Sequence, residues 1–271
     1  MVLDRIRDSL GLARVEEGTG ELMVLLHGGT GSWTHWIRNM PTLSRHYRVR
    51  AYDLPGFGDS PAFGETDPGA YFRRVADAIL EEDDRPLRLV GFSFGGSVAA
   101  GIAPLLGSRL RALTLVAPGS FGVPAPRKID VQPVRARPGL EIDSREAARH
   151  NLTQIMFKDP AMADAPTVDI QLANIARSRF NSRRISWHDR IDADLAAVGA
   201  PTQMIWGLAD RMATPSVEAR VERCRRASPS LRFDLIPDAG HWVQYERPDD
   251  FNSVLLDFHC GLPVMEASHG I

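Results

Sequence analysis

Cysteine is scarce in this chain of 271 residues, which contains only two. Cys224 and Cys260 lie far apart and form no C-x-x-C pair. This usage argues against a disulfide framework or a zinc site and is typical of free or buried thiols in a reducing compartment. We therefore expect a cytoplasmic protein without a metal.

Long apolar runs and an excess of charge of one sign are also missing. The amino-terminal MVLDRIRDSLGLARVEEG mixes charges among its apolar residues, and no segment reaches the ~18 apolar residues of a membrane span. The 32 basic and 34 acidic residues nearly cancel, so no net field would attract nucleic acid or a membrane. We expect a soluble, unprocessed protein with a small-molecule partner, and the sequence leaves open whether it forms a homo-oligomer.

Short apolar segments of strand type alternate with helical segments along most of the chain. This alternation predicts an α/β fold with a mostly parallel central sheet flanked by helices. The predicted strands are 22–27, 47–53, 87–92, 112–118, 201–207 and 231–237.

The alternation breaks once, between residues 122 and 195. No convincing strand occurs there, while SREAARHNLTQIMF and APTVDIQLANIARSRF have helical patterns. We therefore predict a core domain of residues 1–121 and 196–271, with 122–195 as an α-helical insertion placed over the sheet.

A serine stands at a strand-to-helix corner in VGFSFGGS, residues 90–97. Gly91 to Gly95 match G-x-S-x-G, in which glycines make room for a tight turn and the serine hydroxyl is exposed above the strand end. Glycine and serine are common in turns, so a plain turn serine is the alternative. The nucleophile interpretation of Ser93 requires a base and a carboxylate elsewhere.

Both partners follow later predicted strands. Asp210 lies in IWGLADRMATP, and His241 lies in IPDAGHWVQYERPDDF. Asp234 and Asp238 are rival carboxylates, but Asp234 falls inside a strand and Asp238 is only three residues from His241. We therefore predict Ser93 as nucleophile, His241 as base and Asp210 as the orienting acid.

The third requirement is a pair of donors for an oxyanion. The N–H of Phe94, directly after the serine, is one candidate. LLHGGTGSW supplies the other, for which we choose Gly29, with Thr30 as the alternative. A phosphate-binding loop is disfavoured because HGGTG lacks the Walker lysine and the G-x-G-x-x-G spacing.

These motifs, together with YDLPGFGDS at 52–60, resemble the α/β-hydrolase fold superfamily over nearly the whole chain. The resemblance implies that the insertion is a cap over the active site and that no cofactor is used. Ser93 argues against epoxide hydrolases and haloalkane dehalogenases, which carry aspartate at this corner.

AGHWVQYERPDDFNSVLLDF and IMFKDPAMADAPTVDIQLANI resemble the meta-cleavage-product hydrolases more particularly. This chain differs from them at His35, where they have asparagine, and at Gln171, where they have an arginine for the substrate carboxylate. Arg177 or Arg179 could take the place of that arginine.

We therefore predict a serine hydrolase that cleaves a small to medium carboxylic ester or related acyl compound through an acyl-enzyme. A C–C hydrolase of meta-cleavage products is the alternative, and a ligand-binding receptor on the same scaffold is a third hypothesis. Among the apolar residues near the motifs, Trp33, Met212 and Trp242 are the predicted pocket residues.

Overall fold

A computed structural model describes residues 5–65, 67–81, 83–124, 129–135 and 142–262 of the chain. Within these ranges the strands form one sheet in the order β1-β2-β4-β3-β5-β6-β7-β8. The strands are β1 Arg5–Arg7, β2 Ala13–Glu17, β3 Leu22–Leu26, β4 Arg48–Tyr52, β5 Leu87–Phe92, β6 Leu110–Val116, β7 Thr202–Gly207 and β8 Arg232–Ile236.

The sheet from β4 to β8 is parallel, as the sequence predicts, and the two short amino-terminal strands are antiparallel. Every residue of β3 and β5 is buried, and apart from Arg88 all of them are apolar or glycine, as expected where helices cover both faces of a parallel sheet. The predicted strands match β3 to β8 within a few residues. The sequence reading missed β1 and β2.

Helices connect the strands and cover the sheet. They are α1 Met40–Leu43, α2 Pro68–Leu80, α3 Phe94–Leu106, α4 Ser144–Asn151, α5 Ala165–Ala176, α6 Arg183–Ser186, α7 Ile191–Ala196, α8 Val217–Ala227, α9 Val243–Glu246 and α10 Pro248–Cys260. Shorter turns of 3₁₀ helix lie at Trp33–Trp36, Gly107–Arg109 and Pro160–Met162, and a π-helix spans Leu152–Met156.

Helices α4 to α7 occupy the chain between β6 and β7, where the sequence predicts the insertion. Asp143 caps the amino terminus of α4, and Asp164 caps that of α5; such side-chain bonds satisfy otherwise unpaired amides. The last of these helices, α7, packs against α3 and α8 of the sheet region. The boundaries at 122 and 195 stay a prediction.

Four loops leave the sheet at its carboxyl edge and bring polar groups together. They follow β3, β5, β7 and β8 and carry Gly29, Ser93, Asp210 and His241. In a parallel sheet the carboxyl ends of the strands line one edge, where ligands usually bind. This edge is the position of the candidate site.

Candidate active site

Ser93 occupies a strained corner between β5 and α3. Its φ of 52° lies in the left-handed region, which costs a non-glycine residue roughly 1–3 kcal/mol and is found mainly at functional sites. Gly95 permits the turn, because a Cβ there would lie 2.4 Å from the Leu26 carbonyl oxygen. The Ser93 N–H donates to the Val116 carbonyl at 2.8 Å, which fixes the corner against β6.

Ser93, His241 and Asp210 form a continuous hydrogen-bonded chain. His241 Nε2 lies 2.9 Å from Ser93 Oγ, and His241 Nδ1 lies 2.9 Å from Asp210 Oδ2. Because an ionised carboxylate only accepts, Nδ1 carries the proton and donates to Asp210. Nε2 is then free to accept the proton of the serine hydroxyl.

The Asp210 carboxylate is buried but stays ionised. Burial opposes ionisation, yet the charge and hydrogen bond of His241, the Met212 amide and the Arg220 charge outweigh it and hold the pKa of Asp210 below its usual value. The Met212 N–H donates to Asp210 Oδ1 at 2.7 Å. Both carboxylate oxygens therefore have a donor, which fixes the orientation of the Asp210 carboxylate relative to His241.

Two histidines hold the loop after β3. His27 Nδ1 lies 2.7 Å from the Gly28 carbonyl oxygen, and His27 Nε2 accepts the Leu54 N–H at 2.9 Å, so Nδ1 carries the proton. On the other side of the same residue, the Gly28 N–H donates to His35 Nδ1 at 3.1 Å. The orientation of Gly28 is therefore fixed at both its amide and its carbonyl.

This bracing orients the Gly29 amide. The Gly28 carbonyl and the Gly29 N–H belong to one planar trans peptide and point in opposite directions. Since His27 holds the carbonyl, the Gly29 N–H faces the other way, and Gly29 lines the cavity that also contains Ser93. Phe94 lines the same cavity, and as the first residue of α3 it has no intrahelical acceptor for its N–H.

Both bracing histidines are buried and neutral. Burial lowers the pKa of His27 despite the nearby Asp53 charge and the Gly28 carbonyl. Burial also lowers the pKa of His35, and the neighbouring His27 and His241 lower it further. A neutral His35 can accept from the Gly28 N–H, whereas a protonated ring could not.

The cavity above Ser93 has a volume of about 420 Å³. Its lining combines the polar groups of the loops with apolar side chains from the helices between β6 and β7. The lining includes Gly29, Ser93, Phe94, Ile155, Met156, Ser182, Arg183, Trp187, Met212 and His241.

The structure brings together most of the residues predicted from the sequence, but it corrects two pocket predictions. Met212 lines the cavity, whereas Trp242 is fully buried beneath it and donates its indole N–H to the His35 carbonyl. Trp33 lines a separate cleft beside Asp53. Nearness to a motif in sequence did not indicate which way either indole points.

The rival carboxylates do not contact His241. Asp234 lies in β8 and binds Gln203 and Arg232. Asp238 is exposed and pairs with Lys158. Neither side chain can orient the imidazole.

The bracing roles of His27 and His35 were not found by sequence reasoning. His27 directly precedes the Gly-Gly pair, which was the available signal for its role. The sequence distinguishes His35 only as the residue that replaces an asparagine, because its contact with Gly28 depends on how the loop folds.

Neither a metal-binding cluster nor a membrane-spanning helix occurs among the described residues. These residues contain no group of three or more His, Cys, Asp or Glu side chains that could hold a metal ion. No helix among them is long and apolar enough to cross a membrane.

Known proteins resemble this chain over most of its length. The chain is 26% identical over 260 residues to the 2-hydroxy-6-oxo-6-phenylhexa-2,4-dienoate hydrolase of Burkholderia cepacia, covering 90% of this chain and 89% of that protein. A carboxylesterase from Bacillus subtilis superposes with a TM-score of 0.76 at 18% identity, covering 96% of this chain and 93% of the other. A meta-cleavage product hydrolase from Pseudomonas fluorescens superposes with a TM-score of 0.72 at 22% identity, covering 95% of this chain and 97% of the other.

The sequence profile of the alpha/beta hydrolase family matches residues 23–254, which is most of the chain. The matched segment includes the loops that carry Ser93, Asp210 and His241. This chain belongs to the alpha/beta hydrolase family.

Proposed function

We propose that this protein is a serine hydrolase that cleaves a small to medium carboxylic ester or a related acyl substrate. The observation that carries the proposal is the hydrogen-bonded chain from Ser93 Oγ through His241 to Asp210, with 2.9 Å at each step. A serine hydroxyl is a weak nucleophile at neutral pH, and this arrangement is the one that activates it.

In the proposed reaction, Ser93 Oγ attacks the ester carbonyl carbon while His241 Nε2 takes the hydroxyl proton. Asp210 stabilises the resulting imidazolium and keeps its orientation. His241 then gives the proton to the leaving alcohol, and an acyl-enzyme remains on Ser93. Water, deprotonated by His241, then attacks the acyl carbon. The bond to Ser93 Oγ breaks, His241 returns the proton to Oγ, and the carboxylic acid is released.

The amides of Gly29 and Phe94 would hold the oxyanion of each tetrahedral intermediate. A single donor of this type is typically worth about 10²–10³ in turnover. The bracing of Gly28 by His27 and His35 supports this role, because donors fixed in advance need no reorganisation during the reaction. These groups supply the whole reaction without a cofactor.

The cavity supports a substrate with an apolar part. Ile155, Met156 and Trp187 from the segment between β6 and β7 form much of its wall. We infer that this segment acts as a cap, because it covers Ser93 and supplies side chains that face a bound substrate. Among the described lining residues, Arg183 is the only arginine or lysine.

A C–C hydrolase of 2-hydroxy-6-oxo-dienoates is the second candidate. The similarity to the dienoate hydrolase of Burkholderia cepacia favours it. A dienoate carries a carboxylate that needs a paired charge in an apolar site. Arg177 and Arg179 do not line the cavity, since Arg177 pairs with Asp59 and Arg179 binds the Gly58 carbonyl. Of the described residues that line the cavity, the exposed Arg183 is the only one with a permanent positive charge, so we rank ester cleavage first.

Two measurements test the proposal. A fluorophosphonate probe should label the wild-type protein and fail to label Ser93→Ala; a folded wild type that is not labelled would favour a ligand-binding receptor. Steady-state kinetics with p-nitrophenyl esters and a 2-hydroxy-6-oxo-dienoate then separate the two reactions. Fast dienoate turnover with slow ester cleavage would reverse our ranking.

A further inference from the structure

A smaller chamber of about 200 Å³ opens beside the main cavity. Four residues line both spaces, which therefore adjoin. They are Gly29, Thr30, Ile155 and Met156. Ser93 and His241 line the main cavity but not this chamber. A substrate held at Ser93 could therefore extend a substituent past the oxyanion loop into the chamber.

Gln171 is an unusual residue in the wall of this chamber. It lies on α5 and is only 9% exposed. Its Oε1 is buried and has no hydrogen-bond partner among the described residues. An unpaired buried polar group is destabilising, so a ligand that supplies a partner would recover interaction energy at this point.

The other amide side chain of the chamber differs in this respect. Asn151 Oδ1 accepts the Gln132 N–H at 2.8 Å, and Asn151 Nδ2 donates to the Gln132 carbonyl at 2.8 Å. Asn151 therefore joins two segments of the chain, whereas Gln171 Oε1 has no hydrogen-bond partner among the described residues.

The charge of the chamber limits what it can accept. Its described lining contains no lysine, arginine, aspartate or glutamate. A carboxylate would be desolvated there without a counter-charge, which is strongly unfavourable. A hydroxyl group is uncharged and can both donate and accept, so it can pair with the Gln171 amide in either orientation of that amide.

The position of His241 indicates which part of the substrate would enter. The leaving alcohol must lie within reach of His241 to receive its proton, and His241 does not line the chamber. The acyl carbonyl oxygen, by contrast, would be held at the Gly29 amide, and Gly29 lines both spaces. The chamber therefore suits a substituent on the acyl chain.

We propose that this chamber is an acyl subsite in which Gln171 selects substrates whose acyl chain carries an uncharged hydroxyl group. The proposal rests on the ester hydrolysis proposed above. It predicts a preference for hydroxyacyl esters over both plain acyl esters and esters with a terminal carboxylate.

The kinetic test uses p-nitrophenyl alkanoates of increasing chain length, their ω-hydroxy counterparts and the corresponding ω-carboxy esters. In the wild type, the hydroxyl should raise kcat/KM at the chain length that reaches Gln171, and the carboxylate should lower it. Gln171→Leu should lower the ratio of kcat/KM for hydroxy to plain ester about tenfold, since one hydrogen bond is lost. Plain esters should react at least as well as before.

Gln244→Leu is the matched control. Gln244 is another buried glutamine whose amide has no hydrogen-bond partner within the described ranges, but it lies in α9 and does not line the chamber. Its substitution should leave the hydroxy-to-plain ratio at the wild-type value. An equal fall of the ratio in both variants would overturn the role of Gln171.

A binding assay separates this proposal from the proposed function. Calorimetry on Ser93→Ala would compare an ω-hydroxyalkanoate methyl ester with the plain methyl ester, with and without Gln171→Leu. Tighter binding of the hydroxy ester that is lost with Gln171→Leu supports the subsite, even if the wild type hydrolyses no ester. A hydroxyl that has no effect on binding or kcat/KM at any chain length overturns it, even if Ser93-dependent hydrolysis is fast.

Discussion

The carboxylate of Glu246 lies 2.7 Å from the backbone nitrogen of Gly240, the residue directly before His241. The same carboxylate accepts the N–H groups of Lys158 and Asp159 at 2.9 and 2.8 Å. Glu246 is therefore a buried anion that joins the His241 loop to the segment between β6 and β7. Three backbone amides depend on it for a partner.

Glu246→Gln should weaken this junction, because the amide loses the charge and one acceptor oxygen. We expect the free energy of unfolding to fall by about 1.5–3 kcal/mol, the usual range for hydrogen bonds to a charged group. Because the loop that carries His241 would then be held less firmly, kcat for ester cleavage should also fall. Denaturant unfolding and steady-state kinetics measure both effects. Glu222→Gln is the control because Glu222 is exposed, and equal stability of the two variants would contradict the prediction.

Asp210→Asn should abolish most turnover while leaving the fold intact. Both carboxylate oxygens accept hydrogen bonds, from Met212 and from His241, and asparagine has only one acceptor. If its NH₂ group faces His241, the imidazole must carry its proton on Nε2 and cannot accept one from Ser93. A loss of about 10⁴-fold in kcat is expected.

Asp238→Asn serves as the control for that variant, because Asp238 is the rival carboxylate nearest in sequence to His241. It should keep wild-type kcat, and circular dichroism and thermal unfolding should show that both variants fold. Activity that survives in Asp210→Asn but disappears in Asp238→Asn would reassign the acid.

The predictable part of the fold is the part in which local pattern and burial agree. Strand β3 is apolar throughout and β5 is apolar apart from Arg88 because both faces are covered, and such runs are visible in the sequence. Strand β1 is three residues long, reads Arg-Ile-Arg and is largely exposed. No apolar run marks it, so its pairing with β2 depends on tertiary contacts.

The candidate site also has a part that the sequence predicts and a part that it does not. Ser93, Asp210 and His241 each follow a strand, so the topology of a parallel sheet brings them to one edge, and the sequence order predicts this. Side-chain direction within loops has no comparable signal. Trp242 stacks on Tyr245 with ring centroids 4.1 Å apart instead of lining the cavity, and this packing is decided in three dimensions.

His27→Leu should reduce turnover without removing a group that touches substrate. Loss of the Nδ1–H frees the Gly28 carbonyl, so the peptide that carries the Gly29 N–H is no longer fixed. Misplacement of such a donor can cost up to about 10²-fold, and the loss should appear in kcat more than in KM. His46→Leu, at an exposed position, is the control. A folded His27→Leu protein with normal kcat would show that the hydrogen bond from His27 to the Gly28 carbonyl is not needed for turnover.

Another buried histidine, His259, lies in α10, contacts side chains of β5 and β6 and does not line the cavity. Arg88 Nη1 is 3.4 Å from His259 Nδ1, and His259 Nε2 is 2.9 Å from Thr114 Oγ1. Because arginine can only donate, Nδ1 is the acceptor and Nε2 carries the proton. Burial, assisted by the Arg88 charge, lowers the pKa of His259 to about 3.

This lowered pKa of His259 makes the free energy of unfolding decrease in acid. In the unfolded chain His259 takes up a proton near its ordinary pKa of about 6.5, whereas in the folded protein it does so only near about 3. The unfolded state therefore binds more protons between these two pH values. The stability that neutral His259 contributes is complete above about pH 6.5 and is lost as the pH falls below it. His259 alone should lower the folding equilibrium constant by up to about tenfold per pH unit.

His259→Gln tests this coupling, since glutamine can donate and accept but does not titrate in this range. Urea unfolding between about pH 7 and about pH 5 should show a shallower loss of stability than in the wild type. His27 and His35 are also buried and neutral and contribute equally in both proteins, so the difference between the two slopes isolates His259. His46→Gln, at an exposed position, should retain the wild-type slope. An unchanged slope in His259→Gln would mean that His259 does not resist protonation in the folded protein.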